Sequence, residues 1–226
     1  MKLAKQCLDV GLFTNNIEPM LEFWQQGVGL PFEELLPTGG GSRQHRHGLN
    51  GGVLKINEVR DALPASAPAG YRELVIPRSG VSESRSLTDP DGNRVTLVPL
   101  VQDGSGIEIR LGVTNLEAAR RHYGLALGFD RVSEDVYACG TTRLVLDFDP
   151  DQQPIAEMRG VGYRYLTVQV WDADAEFSAV VAAGATAGMA PRTLGAVARF
   201  GFVRDPDGNW MEISQRASLT GNLPPN

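Results

Sequence analysis

Short runs of alternating apolar and polar residues fill most of the chain, separated by Gly, Pro, Asn and Asp. Near the start, Val10 and Leu12 fall on one face while Asp9, Gly11 and Phe13 fall on the other, the period of two that marks a strand. The pattern then changes to a helical one. Asn15 or Asn16 caps it, Pro19 stands in its first turn, Met20, Leu21, Phe23 and Trp24 form an apolar stripe, and Gly27 ends it. Strands are expected near 43–48 and 52–57. After residue 103 the order recurs: Ile109, Leu111 and Val113 alternate, a helix covers 116–125, and strands fall near 131–138 and 142–148.

Other segments recur as well. LTDPDGNRVTLVPL (87–100) matches VRDPDGNWMEISQR (203–216), and GYRELVI (70–76) matches GYRYLTVQV (162–170). In DPDGN, Pro and Gly supply turn geometry. In both halves an Asn (Asn16, Asn115) precedes a Gly (Gly29, Gly128) by 13 residues. The chain therefore reads as a duplication with domains at 1–102 and 103–226, linked by Val101–Gly106 and ending in a flexible tail at 217–226. Asp172 caps a further helix at 173–183, closed by Gly184. The corresponding stretch of the first half is too short to hold one: Gly70 to Asp89 spans 19 residues, against 43 from Gly162 to Asp205. Three of four units read strand–helix–strands, and the second lacks its helix.

Composition narrows the functional classes. The 226 residues are 42% hydrophobic and 21% charged, with a net charge of −6. An acidic chain is unsuited to non-specific nucleic-acid binding, and no apolar run is long enough to span a membrane. The two cysteines, Cys7 and Cys139, have no metal-binding spacing, and the N-terminus lacks a signal peptide. A cytoplasmic protein is expected. HExxH, GxSxG and phosphate-loop motifs are absent from the sequence.

The repeated βαβββ pattern, with Asn16 to FWQQGVGLPF, Asn115 to HYGLALGF, GYRYLTVQVWDAD and the two DPDGN strands, resembles the vicinal-oxygen-chelate superfamily of glyoxalase I, bleomycin-resistance proteins and extradiol dioxygenases. The resemblance covers most of the chain. It implies an α+β fold in which βαβββ-type units pair into two cupped mixed β-sheets with helices outside and ligand inside. It also implies metal ligands at equivalent inward positions. Here those positions hold Asp9, Lys55, Glu73 and Thr96 in the first half, and Glu108, Asp147, Tyr165 and Glu212 in the second. Only Glu212 matches the family's ligand type, and no imidazole does. No cofactor is expected. The alternative is a divalent metal on the oxygen ligands Glu108, Asp147 and Glu212, with Arg110 and Arg143 as neutralising partners if no metal binds.

Lys55 then stands where the family often has a Glu, and its ammonium takes the place of a cation. Glu73 and the histidines of RQHRHG, His45 and His47, are candidate acid–base groups beside Lys55, since imidazole titrates near neutral pH. A solvated loop is the competing reading of RQHRHG. Asp9, Phe13, Asn57, Tyr163, Tyr165 and Trp210 are candidate substrate-binding residues. A cup could form within each half, or by exchange of units, joining Asp9 and Lys55 to Tyr165 and Glu212. The expected function is acid–base chemistry of isomerase or lyase type on a small carbonyl- or carboxylate-bearing metabolite, by a monomer or homodimer. The alternatives are an antibiotic-type binding protein and a metal-dependent glyoxalase- or dioxygenase-like enzyme.

Overall fold

The computed structural model describes residues 1–101, 106–155, 157–221 and 223–224. The first unit runs β1 (Asp9–Thr14), α1 (Ile17–Glu22, continued by a π-helical turn over Phe23–Gly27), β2 (Phe32–Gly39), β3 (Ser42–Leu49) and β4 (Gly52–Val59). The second has strands only, β5 (Tyr71–Arg78), β6 (Arg85–Thr88) and β7 (Arg94–Pro99). The third repeats the first: β8 (Glu108–Val113), α2 (Leu116–Arg120, continued by a π-helical turn over Arg121–Ala126), β9 (Asp130–Arg131), β10 (Val136–Cys139) and β11 (Thr142–Phe148). The fourth is β12 (Gly162–Gln169), α3 (Ala173–Ala182), β13 (Thr186–Leu194), β14 (Ala198–Arg204) and β15 (Trp210–Arg216). Where a flexible tail is expected, Ala217–Thr220 form a helical turn, α4. Most of the expected linker, residues 102–105, lies outside the described residues.

Two curved mixed sheets result, with the helices outside. The eight-stranded sheet has the order β13-β14-β15-β12-β1-β4-β3-β2, and the seven-stranded one β6-β7-β5-β8-β11-β10-β9. The first cup therefore joins unit one to unit four, and the second joins units two and three. Each sequence half contributes one unit to each sheet. Between the two arrangements left open by the sequence, the exchanged one is observed: β1 pairs antiparallel with β12, setting Asp9 opposite Thr167 and Gly11 opposite Tyr165.

The outward faces carry the core. Val10, Leu12, Leu54, Ile56, Leu166, Val168, Met211 and Ile213 are all buried there. Asp172 caps α3 by accepting the Ala175 N–H at 3.0 Å, and Asn115 caps α2 through Ala118 N–H at 3.0 Å. Asn16 occupies the cap position of α1 but makes no side-chain capping bond. The neighbouring Asn15 instead donates to the Val59 and Asp61 carbonyls.

The two DPDGN turns have one geometry. Asp89 Oδ1 accepts Asp91 N–H at 3.0 Å and Asn93 N–H at 2.8 Å, and Asp205 Oδ1 accepts Asp207 and Asn209 N–H at the same distances. The Asn side chain then reaches across to the other sheet. Asn93 Oδ1 accepts Tyr163 N–H at 3.0 Å, and Asn209 Oδ1 accepts Gly70 N–H at 2.7 Å. Gly162 has φ +94, and a Cβ there would lie 2.7 Å from Asn93 Oδ1, so glycine is required at this crossing.

Candidate functional site

The inward face of the eight-stranded sheet encloses a cavity of about 360 Å³. Strand alternation decides which side chains reach it. On β1, Gly11 leaves room for the Tyr165 ring: a Cβ at Gly11 would lie 2.2 Å from its Cε1. The Tyr165 hydroxyl accepts Asn57 Nδ2 at 3.2 Å and Gln44 Nε2 at 3.4 Å. Phe13, Phe200 and Phe202 complete an aromatic wall, with Tyr165–Phe202 edge-to-face at 5.7 Å.

On the floor, the buried Lys55 ammonium donates to Thr167 Oγ1 at 2.6 Å and to Glu212 Oε2 at 2.7 Å, and lies 3.9 Å from Asp9 Oδ2. Thr167 Oγ1 in turn donates to Glu212 Oε2 at 2.6 Å. Glu212 Oε1 takes no hydrogen bond from the described residues, and Glu212 lines the cavity. Asp9, fully buried, accepts Lys5 Nζ at 2.8 Å, Gln169 Nε2 at 3.0 Å and Val53 N–H at 3.0 Å. Burial alone would raise the Asp9 pKa, but the charges of Lys55 and Lys5 outweigh it and hold the carboxyl below its ordinary value. Burial draws the Lys55 ammonium below its ordinary value, against the pull of Glu212 and Asp9, with Arg46 adding to the lowering.

The cavity wall is cationic in an acidic chain. Lys55, Arg46, Arg159, Arg192 and Arg216 line it, against one carboxylate, Glu212. Arg46 and Arg216 share Glu34. Arg159 and Arg192 have no carboxylate partner among the described residues, and Arg192 lies 5.5 Å from the Phe200 ring centre.

Of the residues singled out in the sequence, Asp9, Phe13, Lys55, Asn57, Tyr165 and Glu212 come together in this cup. Others do not. His45 and His47 were expected beside Lys55 and Asn57, but the β3–β4 register places them opposite Ile56 and Leu54, on the outward face. Ser42, Gln44 and Arg46 take the inward positions. His45 Nε2 meets Glu58 Oε2 at 2.9 Å, in a cluster with Arg43. His47 Nε2 lies 3.0 Å from Gln25 Nε2, and its pKa is lowered to about 4 by burial and then by His45.

Tyr163 is likewise displaced. A bulge between Gly11 and Leu12 sets Tyr163 opposite core-facing Leu12, so the side chain joins the main core and donates to the Arg94 carbonyl at 3.2 Å. Trp210 stands behind Phe202 at 5.9 Å, under Arg204. Glu73 is in the second cup, where it accepts Thr96 Oγ1 at 2.5 Å and lies 3.7 Å from Arg110. Glu108 and Asp147 surround the same Arg110, at 3.2 and 4.0 Å. The proposed trio Glu108, Asp147 and Glu212 is therefore divided between two cups.

Gln44, Arg46, Thr167, Gln169, Phe200 and Phe202 belong to the site but were not among the sequence candidates. Thr167 and Gln169 share the alternation of Tyr165, which marked their face. Arg46 follows from the parity of β3, once its pairing with Lys55 is known.

The donor set does not fit a divalent metal. The floor holds an ammonium bonded to the carboxylate that would ligate, and among the described residues no three His, Cys, Asp or Glu side chains converge as ligands. Among the described residues no helix is long and apolar enough to cross a membrane.

Comparison with known proteins places this architecture. The family model described as Glyoxalase/Bleomycin resistance protein/Dioxygenase superfamily matches residues 107–213. Glyoxalase I from Zea mays shares the fold at a TM-score of 0.73 and 16% identity, covering 93% of this chain and 92% of its own. A mutant form of that glyoxalase I gives 0.76 at 14% identity, covering 94% of each chain. A candidate dioxygenase from Bacillus subtilis gives 0.68 at 12% identity, covering 96% of this chain and 86% of its own. No curated protein matches the sequence. Residues 107–213 thus match the model of the Glyoxalase/Bleomycin resistance protein/Dioxygenase superfamily, and over its length the chain has the two-cup fold of glyoxalase I.

Proposed function

We propose that the first cup moves a proton on a small carbonyl compound that also bears a carboxylate, as an isomerase or lyase, with Glu212 as base and Lys55 as the cation facing the developing oxyanion. The observation that carries this reading is the Lys55–Thr167–Glu212 cluster on the cavity floor. It reassigns the acid–base role from His45, His47 and Glu73, which lie elsewhere.

Glu212 Oε1 takes a proton from the carbon beside the carbonyl. The C–H electron pair becomes the C=C bond of an enolate, and the carbonyl π pair moves to oxygen. Lys55 and Arg46 supply positive charge at that oxygen, from positions that burial fixes before the reaction begins. Thr167 holds the Glu212 carboxylate in place through Oε2. In a substrate whose deprotonated carbon bears a hydroxyl the intermediate is an enediolate: the hydroxyl proton passes to the former carbonyl oxygen, a new C=O forms at the deprotonated carbon, and return of the proton from Glu212 to the former carbonyl carbon completes an isomerisation. In a substrate with a leaving group on the next carbon away from the carbonyl, the enolate re-forms its C=O, the C=C pair makes a double bond to that next carbon, and the group departs with its bonding pair, a lyase reaction. Arg159 and Arg192, without carboxylate partners of their own, bind the substrate carboxylate, and the aromatic wall excludes water.

A panel of small α-keto and β-keto acids incubated in D2O, followed by proton NMR, tests this. Enzyme-dependent exchange of the protons on the carbon beside the ketone is expected, with a loss of at least 100-fold in Glu212→Gln. The aromatic wall of Phe13, Tyr165, Phe200 and Phe202 supports a second reading, a binding protein without turnover. Saturable binding of panel members with no exchange and full recovery of unaltered ligand would replace the first reading with the second.

A further inference from the structure

A second cavity, of about 630 Å³, opens at the seam between the two sheets. Lys5 and Cys7 line it from the segment before β1, Gly51 from the β3–β4 turn, Arg78 and Ser79 from the end of β5, and Thr141 from the β10–β11 turn. Lys5 and Arg78 are its only charged lining residues among those described, and both are cations. Arg78 is the anomaly. Its Nε and Nη2 are buried and have no hydrogen-bond partner, and it forms no ion pair among the described residues. Buried donors are almost always satisfied, and a buried charge without a counter-charge is costly. Burial accordingly draws the Arg78 pKa below its ordinary value.

We propose that this seam cavity binds a small oxyanion, a carboxylate or a phosphate, through Arg78 and Lys5. A guanidinium presents forked donors that match either group. The cavity is also wired to the first cup. Lys5 Nζ donates to Asp9 Oδ1 at 2.8 Å, and Asp9 Oδ2 lies 3.9 Å from the Lys55 ammonium. An anion that draws Lys5 from Asp9 leaves Lys55 as the nearest cation to that buried carboxylate, so occupancy of the seam adjusts the charge on the cup floor.

The test is a titration with inorganic phosphate, and in parallel with succinate, at ionic strength held constant with NaCl. Binding is read by calorimetry and by Tm. A saturable rise in Tm is expected, with Kd raised at least tenfold in Arg78→Gln and unchanged in Arg192→Gln, which alters only the first cup. Phosphate binding without succinate binding, or the reverse, identifies which oxyanion the seam takes. Without phosphate, Arg78→Gln is expected to be no less stable than the parent, since it removes an uncompensated charge. If that variant does not fold, Lys5→Gln carries the same expected loss of affinity. Equal affinity in parent and variant, loss in Arg192→Gln instead, or an equal Tm rise with NaCl alone would overturn the proposal. None of these readouts depends on turnover in the cup.

Discussion

Replacing Lys55 by Met removes the cation that faces both carboxylates of the cup floor, leaving Glu212 with no counter-charge among the described residues and Asp9 with Lys5 alone. At an effective dielectric constant of about 20, a unit charge pair at the Lys55–Glu212 distance of 2.7 Å attracts by about 6 kcal/mol, and the 3.9 Å pair with Asp9 by about 4 kcal/mol. Desolvation of three ions offsets most of that gross attraction, so the intact cluster adds little net stability. Breaking it is another matter, because the partners remain buried. A loss of about 3–5 kcal/mol is expected for Lys55→Met. The loss has a pH signature. Without the ammonium, the charge that chiefly holds the buried Asp9 carboxyl below its ordinary value is gone, so Asp9 gains by taking up a proton, and the variant is worst above neutral pH and recovers as pH falls toward 5. Urea unfolding at pH 5, 7 and 8 measures this. The double variant Lys55→Met/Glu212→Gln should regain at least half of the loss at pH 8, since it removes one stranded charge. A single variant within 1 kcal/mol of the parent at every pH would show that water, not protein, solvates these groups, and the description of the floor would fail.

Two further changes probe the scaffold. Gly11→Ala drives a methyl group into the Tyr165 ring and should cost about 1–3 kcal/mol, with a changed near-ultraviolet circular dichroism; an unaltered spectrum and urea midpoint would show that the ring does not lie on Gly11. His47 and His122 both have pKa values lowered to about 4, chiefly by burial. Their unfolded values near 6.5 mean that the unfolded chain takes up protons first, so stability falls as pH drops from 6.5 toward 4. Each histidine accounts for a loss of about 2 kcal/mol between pH 7 and pH 5. Asp205, raised to about 6 mainly by burial, acts the other way and returns about 1 kcal/mol over the same interval. His122→Phe should abolish about half of the histidine effect, and an unchanged pH dependence of the urea midpoint would contradict a buried neutral His122.

Much of the architecture could be read from the chain because strand alternation and turn residues are local signals. The opposed faces of β1 and β15, the cap at Asp172 and the missing helix of the second unit all follow from spacing alone. Register is a long-range property, and there the reading failed. RQHRHG alternates perfectly well, but alternation does not say which face looks inward. The pairing of Arg46 with Lys55 decides it, and turned His45 and His47 outward. Tyr163 shares the parity of Tyr165, and one bulge opposite Gly11 sends it into the core. The edge strands β2 and β13 had no clear apolar face to betray them, being largely exposed. Lys55 itself stood out because it stands where the family that the sequence resembles often has a Glu, although the sequence could not say that Thr167 and Glu212 bind its ammonium.

The reciprocal asparagine contacts have a consequence for how this chain can be divided. Asn93 ties the second unit to the start of β12, and Asn209 ties the fourth to the start of β5. A polypeptide severed between residues 101 and 106 would give two fragments, each holding half of both cups and one partner of each tie. Neither fragment has a closed sheet of its own, and the exposed edges of β1 and β5 would seek the complementary strands β12 and β8. Mixing the fragments should therefore rebuild both cups at once, whereas either alone has no route to a single finished bowl.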